Sequence, residues 1–505
     1  MEDVFMKIKN IIIALSVCTA AALAASCEKL DKLLDIQQDG AISFSNMWQD
    51  DNDVITATTG IYYRMRSCFV QDECNVFYWG EARVGEYMWG PGLDAKATDA
   101  NKRAVLLSNM TGATGSCSWS ALYTAIDQAN SVIKYAPLVD MDEAKRDYCL
   151  GQAYFARAYC YFWAARLWGD VPLNLVPVEG TNQPETYPER APKAAVYESI
   201  GKDIEEAQKR SAQLGSDAYF ATAAAVNILD AEYSLWMYST QDGGDSWLDR
   251  AGNSLNALGL NRNRLSDDYS EIFDRTKKKG KEVVFALRND QTEKLTGGYY
   301  FYFYHPTSAI DGKYVNAPVP AYKTQWWSYS QNFVDILQAS AKDNGDKRVA
   351  TNLGIGNYGA GDGRVLSWPN KFLGEMTGSL AILDCDLLYY RYAEAIMLDA
   401  ELKYYRKDYQ GALASINIIA DRAYGKVLYT SATRDDVLRA LCNEYFLEFP
   451  AEGVIWWALI RLGKIWDYNP DLKAKEAGNP NILLWPLTNS AINRNNKIKQ
   501  TEGWS

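Results

Sequence analysis

The stretch that decides the fold is YCLGQAYFARAYCYFWAARLWGDVPL, residues 148–173. Its large apolar side chains recur at the three- and four-residue spacing of one helix face, and the segment 169–172 (GDVP) closes the run. Small residues stand between the large ones, namely Gly151, Ala153, Ala156 and Ala158. Because small side chains let a second backbone come close, this helix is predicted to pack tightly against neighbouring helices.

Similar helical patterns lie on both sides of this stretch. The patterns predicted as helices have these bounds: 52–66, 119–133, 148–167, 194–210, 222–238, 248–258, 387–404, 409–424 and 434–449. Pairs of helices with small residues inside and aromatic rings at turn-spaced positions resemble tetratricopeptide hairpins, although no strict period shows. The sequence therefore predicts a mainly α fold in which helical hairpins stack into a scaffold.

Two segments lose this periodicity and gain glycine, proline and asparagine. The scaffold is predicted at about 119–258 and 387–467, and the loop-rich segments at about 68–118 and 285–380. Irregular segments of this length in a compact domain commonly carry function. We therefore expect the ligand-binding face to be built from these two segments.

The composition excludes several classes of function. The chain has 505 residues, is 48% hydrophobic and 23% charged, and carries a net charge of −11, which is typical of a soluble globular protein. It has no run rich in lysine and arginine, so a nucleic-acid partner is not expected. Its single histidine, His305, speaks against a zinc site, a Ser-His-Asp triad or paired histidine acid–base chemistry.

The N-terminus predicts export. Within residues 1–26 a short basic stretch precedes an apolar run that is too short for a transmembrane span. Cys27 follows directly and is predicted to be the lipidated first residue of a mature lipoprotein, with 27–45 as a tether and 46–505 as one domain. The alternative is ordinary cleavage after the segment 22–24, which would release a soluble exported protein.

Most other motif-like patterns are predicted to carry no chemistry. The GxGxxG pattern at 354–359 lacks the strand and helix of a dinucleotide site and predicts a flexible loop. Asp384 and Asp386 are expected to cap or to face solvent, and His305 to be structural. The remaining cysteines are expected to be buried small hydrophobes, with a disulfide between two of Cys68, Cys74 and Cys117 as an open alternative.

Aromatic residues give the clearest functional signal. Eleven rings lie between Tyr299 and Tyr329, and a second group of aromatic and charged residues lies at 78–89. A sugar ring has an apolar face that stacks on a flat aromatic ring and a rim of hydroxyl groups that binds polar side chains. Trp326 and Trp327 are expected to be exposed, whereas the run 299–304 is compatible with a buried strand or with ligand contacts.

A set of short motifs covers nearly the whole chain. They lie at 119–133, 153–173, 346–348, 371–372, 389–395, 412–422, 452–463 and 484–487. In this order they resemble the motifs of SusD/RagB-type nutrient-binding lipoproteins of the Gram-negative outer membrane. Three positions depart from that pattern: Tyr445 follows Glu444 where an arginine is usual, and Ile455 and Ala458 replace an arginine and an aspartate.

The resemblance implies both a fold and a function. It implies a tetratricopeptide-containing body with an irregular ligand face. This body would be anchored by lipid to the outer membrane, face the cell exterior and close over a TonB-dependent, SusC-like transporter. It implies capture of oligosaccharides without catalysis, and neither a cofactor nor a metal. The residues of this chain that occupy the family's ligand-contact segments are Trp79, Arg83, Tyr87, Trp89, Trp326, Trp327 and Tyr329.

Three other functions stay open at this point. The ligand would be a peptide if the protein follows the RagB branch of the family, and backbone hydrogen bonds in a groove would then replace flat exposed rings. A glycoside hydrolase on a helical scaffold would need two carboxylates at a set separation. A purely structural repeat protein would bind partners through a concave helical face.

Overall fold

Helices form most of the computed structural model, which describes residues 47–70, 76–89, 99–180, 182–293, 303, 325–357, 365–377 and 380–504. The prediction of a mainly α, tetratricopeptide-like fold is confirmed. Residues Asp50–Ser505 belong to one compact unit. The predicted signal 1–26, the tether 27–45 and the lipidation site Cys27 lie outside the described residues.

The described helices are numbered here in chain order. Their bounds are α1 Asp51–Phe69, α2 Val76–Gly80, α3 Ala100–Leu106, α4 Ser120–Tyr135, α5 Glu143–Trp168, α6 Lys193–Lys209, α7 Ala223–Thr240, α8 Ser246–Asn256, α9 Gln331–Ala339, α10 Val349–Asn352, α11 Tyr392–Tyr405, α12 Tyr409–Tyr424, α13 Arg434–Glu448, α14 Ile455–Arg461, α15 Ile465–Tyr468, α16 Pro470–Glu476 and α17 Asn489–Arg494. No described helix combines the length and the apolar character that a membrane span requires.

Helix α5 lies at the centre of the N-terminal hairpins, packed against α4 on one side and α6 on the other. Asp142 caps its start by accepting the Lys145 N–H (3.1 Å), and Gly169, with a φ of +70°, ends it. The predicted close approach is present, since a Cβ added to Gly151 would lie 2.8 Å from the Leu214 side chain. Cβ of Arg210, the C-cap of α6, would lie 3.2 Å away, so Gly151 allows α5 to approach the end of α6 closely.

Eight short strands pair as four antiparallel ribbons within the described ranges. Their bounds are β1 Tyr87–Trp89, β2 Val283–Leu287, β3 Trp327–Tyr329, β4 Gly354–Asn357, β5 Val365–Trp368, β6 Glu375–Thr377, β7 Leu380–Ile382 and β8 Leu387–Arg391. The pairs are β1 with β3, β2 with β8, β4 with β5 and β6 with β7. The segments predicted as loop-rich thus contain most of the strands.

Two predictions are wrong where a strand replaces the expected element. The predicted helix 387–404 begins with β8, because this buried segment pairs with β2, and α11 starts only at Tyr392. The first four residues of the GxGxxG pattern form β4 rather than a loop. A Cβ on Gly354 would lie 1.9 Å from Nε1 of Trp368, so this glycine makes room for an indole of the paired strand.

The minor sequence predictions have mixed outcomes. The cysteines in the described ranges are all buried, as expected: Cys68, Cys117, Cys149, Cys160, Cys385 and Cys442. Cys74 and His305 lie outside the described residues, so the disulfide and the structural histidine stay predictions. Asp384 pairs with Arg275, Nε to Oδ1 at 2.7 Å, rather than facing solvent.

Candidate functional site

A two-stranded ribbon brings the two predicted aromatic segments together. Strands β1 and β3 run antiparallel, with Tyr87 opposite Tyr329 and Trp89 opposite Trp327. The pairing continues beyond the strand, since the Ser330 N–H donates to the carbonyl oxygen of the residue before Tyr87 (2.6 Å). Two segments that are far apart in the sequence therefore form one element of the structure.

Most of the predicted contact residues have their side chains inside the protein. The exposed fractions are Trp79 1%, Arg83 1%, Tyr87 5%, Trp327 0% and Tyr329 1%. The expectation that Trp327 is exposed is wrong, because the rings of Phe77 and Tyr78 pack against it with centroids 5.6 and 5.4 Å away. The ligand contacts of these residues stay a prediction. Tyr87, Trp327 and Tyr329 form the buried base of the ribbon, whereas Trp79 and Arg83 lie in the core that precedes it.

Trp79 belongs to the core because all five residues of α2 are buried. Its indole N–H donates to the Ser116 carbonyl oxygen (3.0 Å). Its ring makes edge contacts with Phe69 and Trp168, at centroid distances of 6.0 and 5.9 Å. Both the ring and the indole N–H of Trp79 therefore make their contacts inside the protein.

Arg83 ties the segment after α2 to the C-terminal part of the chain. Its guanidinium donates to the Ser108 hydroxyl (3.0 Å) and to the carbonyl oxygen of Ile482. The rings of Trp456 and Trp485 lie 4.7 and 5.7 Å from it. Burial lowers the pKa of Arg83 to about 9. Carbonyl groups and aromatic faces thus hold this cation, with no carboxylate paired to it in the described part of the chain.

Two carboxyl groups are buried at the base of β1. Glu81 accepts the backbone N–H of Ala451, that of Gly453 (2.7 Å) and the Tyr87 hydroxyl (2.7 Å). Burial raises the pKa of Glu81 to about 7, although these donors lower it. Neither carboxyl oxygen of Glu86 has a hydrogen-bond partner among the described residues. Burial, with a contribution from Glu81, raises the pKa of Glu86 well above its usual range.

Trp326 is the described member of the predicted set that reaches solvent. Its indole is half-buried, and the Lys102 ammonium lies 5.4 Å from the ring centroid. Lys102 in turn pairs with Asp99, the N-cap of α3. Trp89 contributes its backbone to β1, while its side chain lies outside the described part of the structure. Trp326 therefore stands at the edge of the ribbon, in contact with α3.

Sequence reasoning missed three residues of this neighbourhood. Met88 is 40% exposed on the ribbon. Gln325 is fully buried, and its amide donates to the carbonyl oxygens of Phe303 (2.7 Å) and Ser367 (2.8 Å). Lys102 carries no signal in the sequence, since its position is set by a helix that packs on β1. Gln325 could have been proposed from its place next to Trp326.

Residues from five of the motifs meet with Glu282, Glu444 and Glu448 in one buried ion network, called here the Glu448 network. Its members are Glu282, Asp346, Arg348, Lys371, Arg391, Arg422, Glu444, Glu448 and Glu452, with side chains at most 4% exposed. The central Glu448 carboxylate accepts from Arg348 (3.0 Å), Arg391 (3.0 Å) and Arg422. Burial acts to raise the pKa of Glu448, but the three guanidiniums lower it to about 2.

The Glu448 network also supports the ribbon. Lys371 donates to Glu452 (2.6 Å), and the neighbours of Glu452 on both sides donate their N–H groups to Glu81. Gly453 is needed at this junction, because its φ is +75° and an added Cβ would lie 2.6 Å from the Val76 carbonyl oxygen. The base of the aromatic ribbon is thereby bonded to the helical scaffold.

Comparisons with known proteins agree with this architecture. A family model described as "Starch-binding associating with outer membrane" matches residues 95–224, and one described as "SusD family" matches residues 234–504. SusD-like protein P38 of Formosa agariphila is 23% identical over 98% of this chain and 99% of its own length. A SusD-like protein of Bacteroides ovatus is 27% identical over 56% of this chain and 50% of its own length.

Solved structures share the fold over nearly the whole chain. B. fragilis NanU superposes with a TM-score of 0.75 at 24% identity, covering 93% of this chain and all of its own. A laminarin-binding SusD-like protein gives 0.71 at 18% identity, covering 90% of this chain and 100% of its own. Surface glycan-binding protein A from Bacteroides thetaiotaomicron gives 0.70 at 18%, with the same coverage. Because the second family model spans more than half of the residues, this chain belongs to the SusD family.

Proposed function

We propose that this protein binds oligosaccharides at the cell surface and delivers them, uncleaved, to a TonB-dependent outer-membrane transporter. The observation that carries the proposal is the β1–β3 ribbon, in which two aromatic segments form one element with Trp326 at its solvent-facing edge. Two proteins with the same fold are named for binding laminarin and for binding glycans, and one matching family model is described as starch-binding.

The proposal divides the predicted contact residues into two groups. Trp326 and Trp89 stack on the sugar rings. Of the buried members, Tyr87, Trp327 and Tyr329 hold the ribbon in place from below, and Trp79 and Arg83 stabilise the core next to it. Stacking contributes on the order of 1 kcal/mol per ring beyond area burial. A few such contacts, set against the cost of association, give micromolar-type binding, which suits capture followed by release.

The membrane location rests on two supports. Cys27 follows an export signal in the sequence, and one matching family model is described as associating with the outer membrane. Labelling with radioactive palmitate in the native host, with Cys27→Ala as the comparison, tests the anchor. Labelling that persists in Cys27→Ala would contradict it.

Calorimetric titration with a panel of neutral oligosaccharides tests the binding function. Trp326→Ala is expected to weaken binding about tenfold, or about 1.4 kcal/mol. Trp247→Ala is the matched control, because Trp247 is also half-buried beside a cation, with Arg250 5.7 Å from its ring, but lies on scaffold helix α8. Absence of glycan binding, equal loss in both variants, or binding of peptides alone would contradict the proposal.

A further inference from the structure

A groove runs along helix α13, on residues that the ribbon does not use. Two neighbouring cavities of about 510 and 270 Å³ share Tyr468 and lie against this helix. The α13 residues that line them recur at helical spacing and are Asp435, Leu438, Arg439, Cys442, Asn443, Phe446 and Leu447. At 1.5 Å per residue this stripe is roughly 18 Å long. The groove therefore has room for several units of an extended chain.

The lining of the larger cavity has the chemistry of a sugar site. Tyr468 is 37% exposed, and its ring packs on Phe446 with centroids 4.6 Å apart, so its plane is held in place. Ile336, 41% exposed, adds an apolar surface. Asn443 and Asp343 add exposed polar groups at the rim. A fixed aromatic face with amide and carboxylate groups beside it matches the C–H face and the hydroxyl rim of a sugar.

The charges of the groove favour a neutral ligand. The cations that line it are both paired: Lys464 with Asp467 at 2.6 Å, and Arg439 with Asp436 at 3.2 Å. Asp343 brings a negative charge to the opposite end. Three carboxylates, Asp343, Asp435 and Asp467, line the groove against these two cations, so a sulfated or uronic glycan would gain no net electrostatic attraction there. Neutral hydroxyl groups can donate to these carboxylates.

A series of packed rings fixes the groove relative to the ribbon. Tyr87 contacts Tyr329 (5.2 Å between centroids), which contacts Phe333 (4.9 Å). Phe333 contacts Phe446 (6.2 Å), the residue beneath Tyr468. Helix α9 follows β3 directly and presents Phe333 to these rings and Ile336 to the groove. The groove is thus one layer of side chains away from the ribbon's aromatic base.

We propose that this groove is an accessory binding site for neutral oligosaccharides, with Tyr468 as the stacking residue and Asn443 as a hydrogen-bonding residue. It shares the ligand class of the proposed function, and that class rests on the proposed function. The residues that form it are different, so the two sites can be tested apart.

Hydrogen–deuterium exchange with malto-, laminari- and xylo-hexaose tests the groove. A hexaose is expected to protect peptides that span 434–448 and 465–468, in the wild type and in Trp326→Ala. Tyr468→Ala should reduce this protection at least fivefold. Asn443→Ala should also reduce it, although this variant keeps the Tyr468 ring. Tyr187→Ala, at an exposed tyrosine (49%) elsewhere, is the matched control and should leave it unchanged.

The outcomes separate the two proposals. Protection of the groove by none of the hexaoses, protection unaffected by both groove variants, or protection by a tryptic peptide mixture alone would overturn the accessory site. Binding lost in Trp326→Ala but retained in Tyr468→Ala would overturn the groove and leave the ribbon. Binding lost only in Tyr468→Ala would support the groove and overturn the ribbon as the site of the proposed function.

Discussion

Removing the charge at the centre of the Glu448 network should be costly. Three guanidiniums converge on the Glu448 carboxylate, with Arg348 and Arg391 each at 3.0 Å, and all four side chains are at most 2% exposed. Glu448→Gln keeps the shape of the side chain but replaces the carboxylate with a neutral amide. The amide NH2 group is itself a donor, so it cannot accept from the guanidinium groups. Removing one partner of a buried ion pair typically costs about 3–5 kcal/mol, because the remaining charge is left without compensation. We expect a loss of this size in the free energy of unfolding.

Urea-induced unfolding followed by circular dichroism at pH 7 measures the effect, provided that the m-value is unchanged. Glu198→Gln is the matched control, because Glu198 also pairs with a cation, Lys202 at 2.6 Å, but both side chains are about 68% exposed. Exposed pairs contribute little, so this variant should unfold at the wild-type midpoint. The reasoning would be refuted if Glu448→Gln shifted the midpoint no more than Glu198→Gln does.

The difference in free energy of unfolding between wild type and Glu448→Gln should depend on pH with a definite sign. Burial acts to raise the pKa of Glu448, but Arg422, Arg391 and Arg348 lower it to about 2, below the value of roughly 4.3 in an unfolded chain. The contribution of Glu448 is therefore fully present above about pH 4.3 and is lost as the pH falls towards 2. The gap between wild type and Glu448→Gln should stay constant from pH 7 to 5 and shrink below pH 4. A gap that widens on acidification would contradict this account.

Three further variants test the base of the ribbon. Gly453→Ala should lower the melting temperature at least twice as much as Gly463→Ala, since both glycines have positive φ but only Gly453 faces a backbone atom within 3 Å of an added Cβ. Burial raises the pKa of Glu81 to about 7. The contribution of protonated Glu81 to folding stability is therefore fully present below about pH 4.5 and is lost as the pH rises through 7. Glu81→Gln should therefore gain stability relative to wild type between pH 5 and 8 in urea titrations, and a flat difference would contradict this. Trp79→Ala should lower the free energy of unfolding in urea by about 3–5 kcal/mol, whereas Trp326→Ala should unfold near the wild-type midpoint. Equal losses of stability in the two variants would contradict the burial of Trp79.

Local signals in the sequence predicted the long scaffold helices well, but not the short helices of the loop-rich segments or those from residue 455 onwards. Helix α12 has the predicted bounds 409–424, because Asp408 caps its start and Gly425, in the left-handed region, ends it. The segment 387–391 shows where local signals fail. Its apolar run satisfies a helix pattern, but β2 supplies a paired strand from about a hundred residues earlier, and hydrogen bonding to that strand decides its conformation.

The candidate site could be predicted only in part, because tertiary contacts also decide which of its side chains are buried. Aromatic content indicated which segments matter, and β1 and β3 do meet. Exposure is a property of the assembled fold, and composition near Trp327 did not reveal that Phe77 and Tyr78 cover it. The order of the family motifs was visible, but their meeting around Glu448 depends on tertiary packing. Sequence reasoning therefore located the segments, while packing determined which side chains reach solvent.

The burial of the aromatic residues bears on how the ribbon would bind sugar under the proposed function. Each strand has three residues, and an isolated two-stranded ribbon of that length is not stable by itself. Tyr87, Trp327 and Tyr329 compensate by anchoring both strands in the core. A ribbon fixed from below presents Trp326 without an ordering cost at the moment of binding, which preserves affinity. Shortening a buried anchor, as in Tyr329→Leu, should therefore weaken both folding stability and glycan affinity. Trp326→Ala should weaken glycan affinity alone. If Tyr329→Leu lost stability but bound glycan as tightly as wild type, anchoring of the ribbon would not determine its affinity.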